Sequence, residues 1–208
     1  MRLLQRKKWV INVLHWIWVR VQHSVQIDRK ICYRKITHKQ LERRIDMPNW
    51  CEGMLKIRGK QEDVFNLLAD NLQVWNKVII REPKFDMREE LDKKAIKIDR
   101  KDETIYVEKT AYIKGTHRNF VEPNDINVWK REDGNACIAV EFKAAWDVES
   151  QPYIELSKKY HVDIKIEAFE RGMEFSRFIL IENGELKEDK DIEYDDYVWE
   201  CVMPNLGG

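Results

Sequence analysis

The first 46 residues of this 208-residue chain contain no glycine and no proline. All eight glycines and all five prolines follow Asp46. A segment without the two strongest helix breakers reads as largely helical. The charge changes at the same place. Residues 1–46 carry twelve Lys and Arg against three acidic residues, a net of +9, and residues 47–208 carry 25 against 34, a net of −9. The formal net charge of zero therefore hides a split, and it divides the chain into a basic extension, 1–46, and a domain, 47–208.

Closely spaced cysteines are also missing. Cys32, Cys51, Cys137 and Cys201 form no C-x-x-C pair and no Cys-His zinc pattern, so neither a structural zinc site nor an iron–sulfur cluster is expected. The expectation is four reduced, buried, apolar thiols in a cytoplasmic protein, with no metal and no cofactor. Nor is there an apolar run of the roughly 20 residues needed to span a bilayer. The longest, Trp9 to Val19, is broken by Asn12 and His15 and is followed by no small-residue cleavage site. Membrane contact is left only to residues 1–22, with Trp9, Trp16 and Trp18 as interfacial anchors beside Arg2, Arg6, Lys7 and Lys8. Two other readings compete with this one. The extension could pack on its own domain. Alternatively, Glu42-Arg43-Arg44 can be encoded by purines alone, as in a ribosome-binding sequence, which would make Met47 the start and residues 1–46 an over-extended gene start.

Disorder is excluded by 43% hydrophobic residues against 36% charged. From Met47 the pattern is strands with a few helices. "CEGMLKIRG" alternates, with Cys51, Gly53, Leu55 and Ile57 on one face. "KQEDVFNLLADNL" sets Val64, Leu67, Leu68 and Leu72 on a helical stripe. "KAIKIDRKDETIYVEK" reads as a hairpin, and "NVWKREDGNACIAVEFKAAW" as a second that turns at Asp133-Gly134. A helix follows from Ser150 to Tyr160 with Pro152 in its first turn, then the strand "VDIKIEAFE". A hairpin turns at Asn183-Gly184, and a last strand is expected over Tyr194 to Val202. Arg81 to Lys94 reads as a charged loop or short exposed helix. The expected fold class is α+β: a ferredoxin-like split βαβ antiparallel sheet, two helices on one face, and appended C-terminal strands. In that arrangement the strands next to Trp50 and Trp146 run parallel, and the two rings lie at opposite ends of the sheet.

"MPNWCEGMLKIRG" resembles the N-terminal signature of the YubB ferredoxin-like proteins of plasmids and phages, a family without an assigned activity. A second stretch, "FKAAWDVESQPYIELSKKYHVDIKIEAFERGMEF", is similar to that family's later strand, helix and strand. The resembling residues are Met47, Pro48, Asn49, Trp50, Cys51 and Gly59, then Ala145, Trp146, Glu170, Gly172 and Phe175. Two departures stand out. Gly53 occupies a position where the family usually has Asn, and "YIKGTHRNF" replaces a Trp-rich central motif. The resemblance implies a mobile-element protein and adds Trp146 and Glu170 to the candidate residues.

Asn49, Trp50 and Cys51 offer an amide, a stacking face and a thiol, which suits first a tied-down chain start in the core and second a small planar ligand. His117 and Arg118 sit in a loop where Arg suits phosphate or carboxylate. The candidate binding residues are thus Asn49, Trp50, Cys51, Arg118, Trp146 and Glu170, with no catalytic residue assigned. From Glu182 to Glu200 nine acidic residues face two lysines, which fits a solvated hairpin or, more sharply, a nucleic-acid mimic aimed at a basic groove on another protein. The functional expectation is a non-enzymatic accessory protein of a mobile element that binds a host or mobile-element protein. The alternative is a nucleic-acid-binding or nucleic-acid-processing protein using the His117/Arg118 loop.

Overall fold

The alternation read from "CEGMLKIRG" is the spine of the structure. In β1 (Trp50–Lys60) Cys51, Leu55 and Ile57 are buried, while Glu52, Met54 and Lys56 are only partly covered. One face of the strand therefore meets the core and the other is open. The structure is a computed structural model, and it describes residues 49–80 and 86–208. The expectations for residues 1–46, and the Met47-Pro48 opening of the resembling motif, lie outside the described residues.

Helix α1 (Gln61–Asn71) follows β1 without a break. Glu62 and Asp63 in its first turn complement the helix dipole, and Val64, Phe65, Leu67 and Leu68 are buried. Helix α2 (Gln151–Tyr160) has Pro152 in its first turn, buries Tyr153, Leu156 and Tyr160, and stops at His161 in the left-handed conformation, φ 53°. The two helices touch where Asn71 Nδ2 donates to Tyr160 Oη at 3.0 Å and Tyr160 Oη donates to Asp70 at 3.0 Å. The Tyr153 ring meets Phe142 of the sheet edge-on, 6.4 Å between centroids.

The strands that complete the fold are β2 (Leu72–Gln73), β3 (Trp75–Ile80), β4 (Asp86–Leu91), β5 (Ile96–Asp99), β6 (Thr104–Val107) and β7 (Ala111–Ile113). After these come β8 (Asn119–Val121), β9 (Asn124–Asn127), β10 (Asn135–Ala145), β11 (Asp163–Glu170), β12 (Phe175–Glu182) and β13 (Glu185–Glu193). Eight of them form one sheet in the order β13-β12-β11-β1-β10-β8-β7-β2, and every pairing in it is antiparallel. This overturns the expected ferredoxin-like α+β architecture. The described residues are mostly antiparallel β, with few helices around an eight-stranded sheet. Two further sheets stand beside it, β3-β4 and β5-β6-β9. The physical cause lies between Leu72 and Asn127. After α1 the chain makes a two-residue edge strand and the small sheets β3-β4 and β5-β6-β9, while β7 and β8 extend the main sheet beyond β10.

Local expectations fared unevenly. Ile96 opposes Val107 and Ile98 opposes Ile105, as the first hairpin required. Asn183 and Gly184 turn β12 into β13 with φ of 52° and 74°, the doubly left-handed turn that matches strand twist. The second hairpin is corrected. Gly134 does turn at φ 82°, but the expected first arm forms no strand after Asn127, and that residue ends β9, which pairs with β6. The Arg81–Lys94 reading is corrected as well, since Asp86–Leu91 is a strand paired with Trp75–Ile80. The expected last strand is instead a short helix, α3 (Tyr197–Glu200), capped by the Asp196 side chain. Cys51 and Cys201 are buried, but Cys137 is exposed, so the expectation of buried thiols fails there. Cys137 lies on the open face of β10, opposite Arg58.

Candidate functional site

The two resembling stretches meet at one end of the sheet. Trp50 opposes Ala145 because β1 and β10 run antiparallel. The expected parallel placement of Trp50 and Trp146 is therefore wrong: the two tryptophans share one end. Three backbone hydrogen bonds close that end. The Trp146 N–H donates to the Asn49 carbonyl at 2.8 Å, the Ala145 N–H to the Arg118 carbonyl at 3.1 Å, and the Gly208 N–H to the Trp50 carbonyl at 2.9 Å.

Glu170, at the end of β11, is fully buried, and its carboxylate accepts the backbone N–H groups of Gly172 at 2.8 Å and Met173 at 2.5 Å. A Cβ on Gly172 would lie 2.8 Å from Asn49 Nδ2 and 2.9 Å from Glu170 Oε1. Glycine at 172 is what lets the Asn49 amide and the Glu170 carboxylate stand together. The Trp50 ring meets Phe120 edge-on at 5.9 Å, with Lys143 Nζ 5.2 Å above its face. Cys51 points the other way, into the core. Burial, with Asp147 and Glu170 adding to it, pushes its thiol far up. Such a thiol is a packing group and not a nucleophile. Trp146 is 51% exposed and holds a left-handed backbone, φ 73°. Arg118 shares that backbone region, φ 55°, and the loop carrying it and His117 is exposed.

Sequence reasoning missed Arg177. It is nearly buried on β12 and gathers three carboxylates, Asp147 at 3.2 Å, Asp189 at 2.5 Å and Asp191 at 3.1 Å, while Nε donates to the Val148 carbonyl at 3.2 Å. A residue within an alternating strand carries no local sign that its partners lie on a neighbouring strand and a distant loop. Partial burial, with Asp191 and Asp189 adding to it, lifts the Asp147 carboxyl above its usual range, outweighing the bond from the Val148 N–H and the pull of Arg177.

A second feature also escaped the sequence, a groove of about 1000 Å³ on the open face of the sheet. Its floor is Met54 and Phe169, beside Gly53. Its wall is the C-terminal segment, through Val202, Met203 and Leu206. The register puts the floor and much of the rim on one face, since Glu52 opposes Lys143 and Phe169, and Met54 opposes Glu141 and Glu167. The rim carries Glu52, Glu122, Glu141 and Glu167 against a single cation, Lys143. Lys143 is already bound to Glu122. The helix preceding the wall leaves Val198 and Trp199 standing in solvent, Trp199 at 86% exposure.

The sheet-end cluster and the groove are joined by the chain terminus. Gly208 is bonded to Trp50, and Gly207, at φ 81°, packs so closely that a Cβ would lie 2.2 Å from the Phe169 carbonyl oxygen. The Asn49-Trp50 end of β1 therefore anchors the segment that walls the groove. Among the described residues, no group of three or more His, Cys, Asp or Glu side chains is placed to hold a metal ion, and no helix is long and apolar enough to cross a membrane. Comparison with protein-family models, curated proteins and solved structures finds no match.

Proposed function

We propose that this chain is a non-enzymatic accessory protein that acts in the cytoplasm by binding another protein. The observation that carries the reading is the open-face groove, with its apolar floor of Met54 and Phe169 and an exposed apolar wall at Val202 and Met203. Contiguous apolar surface of this kind, rimmed by polar groups, is expensive to leave in water and marks interaction sites. Asn49, Trp50 and Glu170 serve as the anchor that shapes it, and Trp146 and Arg118 stand exposed at its end of the sheet. The mobile-element setting rests on the resemblance of "MPNWCEGMLKIRG" and its later counterpart to plasmid and phage proteins. The nucleic-acid alternative at His117 and Arg118 has electrostatics against it, because the neighbouring open face presents more carboxylates than cations around its groove.

The test is capture of partners from a host lysate by the tagged full chain and by a Val202→Asp, Met203→Asp variant of unchanged melting temperature. The reading expects proteins retained by the first and lost by the second. Identical capture by both, or magnesium-dependent nuclease activity abolished by His117→Ala, would overturn it.

A further inference from the structure

The groove's walls carry information about what fills it. Where they line the groove, β1 and β11 are paired on both sides, and β10 is bonded to β1 and, over Glu141–Ala144, to β8 and Glu122, so no extended peptide can add to them there as a strand. An occupant must dock by side chains alone. From β8, after which Glu122 and Pro123 reach the rim, to β11 the groove spans four adjacent strands. At about 4.8 Å per strand that is about 14 Å, the length of roughly nine residues of helix at about 1.5 Å each. Anchors at i, i+3 or i+4, and i+7 of one helix fit that length.

Charge selects among helices. Of the rim carboxylates, Glu122 is bound to Lys143, and Glu167 is shared by Lys56 at 2.7 Å and Lys165 at 2.9 Å. Glu52 and Glu141 lie beside Met54 in the middle of the groove, Glu52 two positions along β1 and Glu141 across from it on β10. The helix before the wall adds Asp195, Asp196 and Glu200 around the exposed Val198 and Trp199. The domain as a whole carries 25 basic residues against 34 acidic, counted over 47–208. A second copy of this chain offering its Val198-Trp199 ridge would bring those carboxylates against the rim, like charge on like.

We infer that the groove on the open sheet face, Met54 and Phe169 between Glu52, Glu141 and the Val202–Leu206 wall, receives a basic amphipathic helix of a partner protein. Leucine-type anchors enter the groove, and Lys or Arg on the flanks meet Glu52 and Glu141. The inference rests on the protein-binding reading above and adds to it the partner's chemistry.

The experiment titrates the full chain, by anisotropy, with three labelled 18-residue peptides. One is a Leu/Lys amphipathic helix, one a Leu/Glu helix with the same apolar face, and one a scrambled Leu/Lys peptide without that face. The expected result is saturable binding of the Leu/Lys helix only. That binding weakens about tenfold or more in a Glu52→Lys, Glu141→Lys variant and in Met54→Asp, and weakens again as salt rises. Equal binding of the Leu/Glu helix, or binding of the Leu/Lys helix unchanged in both variants, overturns the inference. So does a concentration-dependent dimer of the chain that Met203→Asp abolishes. If lysate capture is lost with Val202→Asp, Met203→Asp while the Leu/Lys helix fails to bind, the protein-binding reading stands and the basic-helix inference alone falls.

Discussion

Gly53 is the position at which a single methyl group would do most to the sheet. It lies in β1, the central strand, opposite Phe142 on one side and Ala168 on the other. A Cβ there would stand 1.9 Å from the Glu167 carbonyl oxygen and 2.7 Å from Ala168 Cα. Both atoms are backbone, so no rotamer change relieves the contact. Ordinary contact begins near 3.4 Å, so β1 and β11 would have to part locally by about 1.5 Å. Ladder hydrogen bonds do not survive such a shift. Losing two costs about 1–3 kcal/mol, and overpacking adds about 1–3 kcal/mol, for a total of about 2–6 kcal/mol. For a chain of this length that lowers the melting temperature by roughly 10 °C. Gly53→Ala should show this in thermal and urea denaturation. Gly172→Ala, whose clash falls on the Asn49 and Glu170 side-chain tips, should cost less, about 1–2 kcal/mol. A Gly53→Ala protein melting within about 2 °C of the parent would refute the described geometry of β1 against β11. The same geometry bears on the resemblance, because no side chain fits where that family usually carries Asn.

Trp50→Ala should cost about 2 kcal/mol in chemical denaturation, since its ring is only half-buried against Phe120, whereas Trp146→Ala, half in solvent, should cost under about 1 kcal/mol. Replacing Glu170 with Ala leaves two backbone N–H groups without their buried acceptor and should cost about 2–5 kcal/mol, part of it recovered by Glu170→Gln. Asp92 is held down at about 2 by bonds from Lys109, Asn76 and the Lys94 N–H. A carboxyl depressed in the folded state adds stability that is complete above its unfolded value, about 3.9, and is lost as pH falls towards 2. The melting-temperature gap between the parent and Asp92→Asn should therefore be constant above pH 5, shrink as pH falls through 2, and vanish below it. Of the three described cysteines, a thiol reagent at pH 8 should label Cys137 in the native protein and reach Cys51 only on unfolding, as read by mass spectrometry of the digest.

Local periodicity was enough to determine several elements of this protein. The alternation of Leu55 with Ile57, the stripe of Val64, Leu67 and Leu68, and the Pro152 start of α2 all report burial within one segment, and each element is present. Asn183-Gly184 declared its turn because φ above zero favours those residue types. Periodicity says which face is buried but not which strand lies alongside. That is why the segment before Gly134 reads as a partner of β10 when it forms no strand after Asn127, and why the all-antiparallel eight-stranded sheet reads as a split βαβ one. At the C-terminus the pattern was ambiguous. Tyr197 and Cys201 are buried at a helical spacing of four, while Val198, Trp199 and Val202 are exposed, and only docking against the sheet end settled the segment as α3 and a wall. The candidate residues followed the same division. Asn49, Trp50, Trp146 and Glu170 were visible one at a time. The meeting of Asn49 and Glu170 at Gly172 and the groove beside Met54 depend on antiparallel pairing between segments some 90 to 120 residues apart, and the carboxylate clamp on Arg177 depends on a neighbouring strand and a loop that only tertiary packing brings to it.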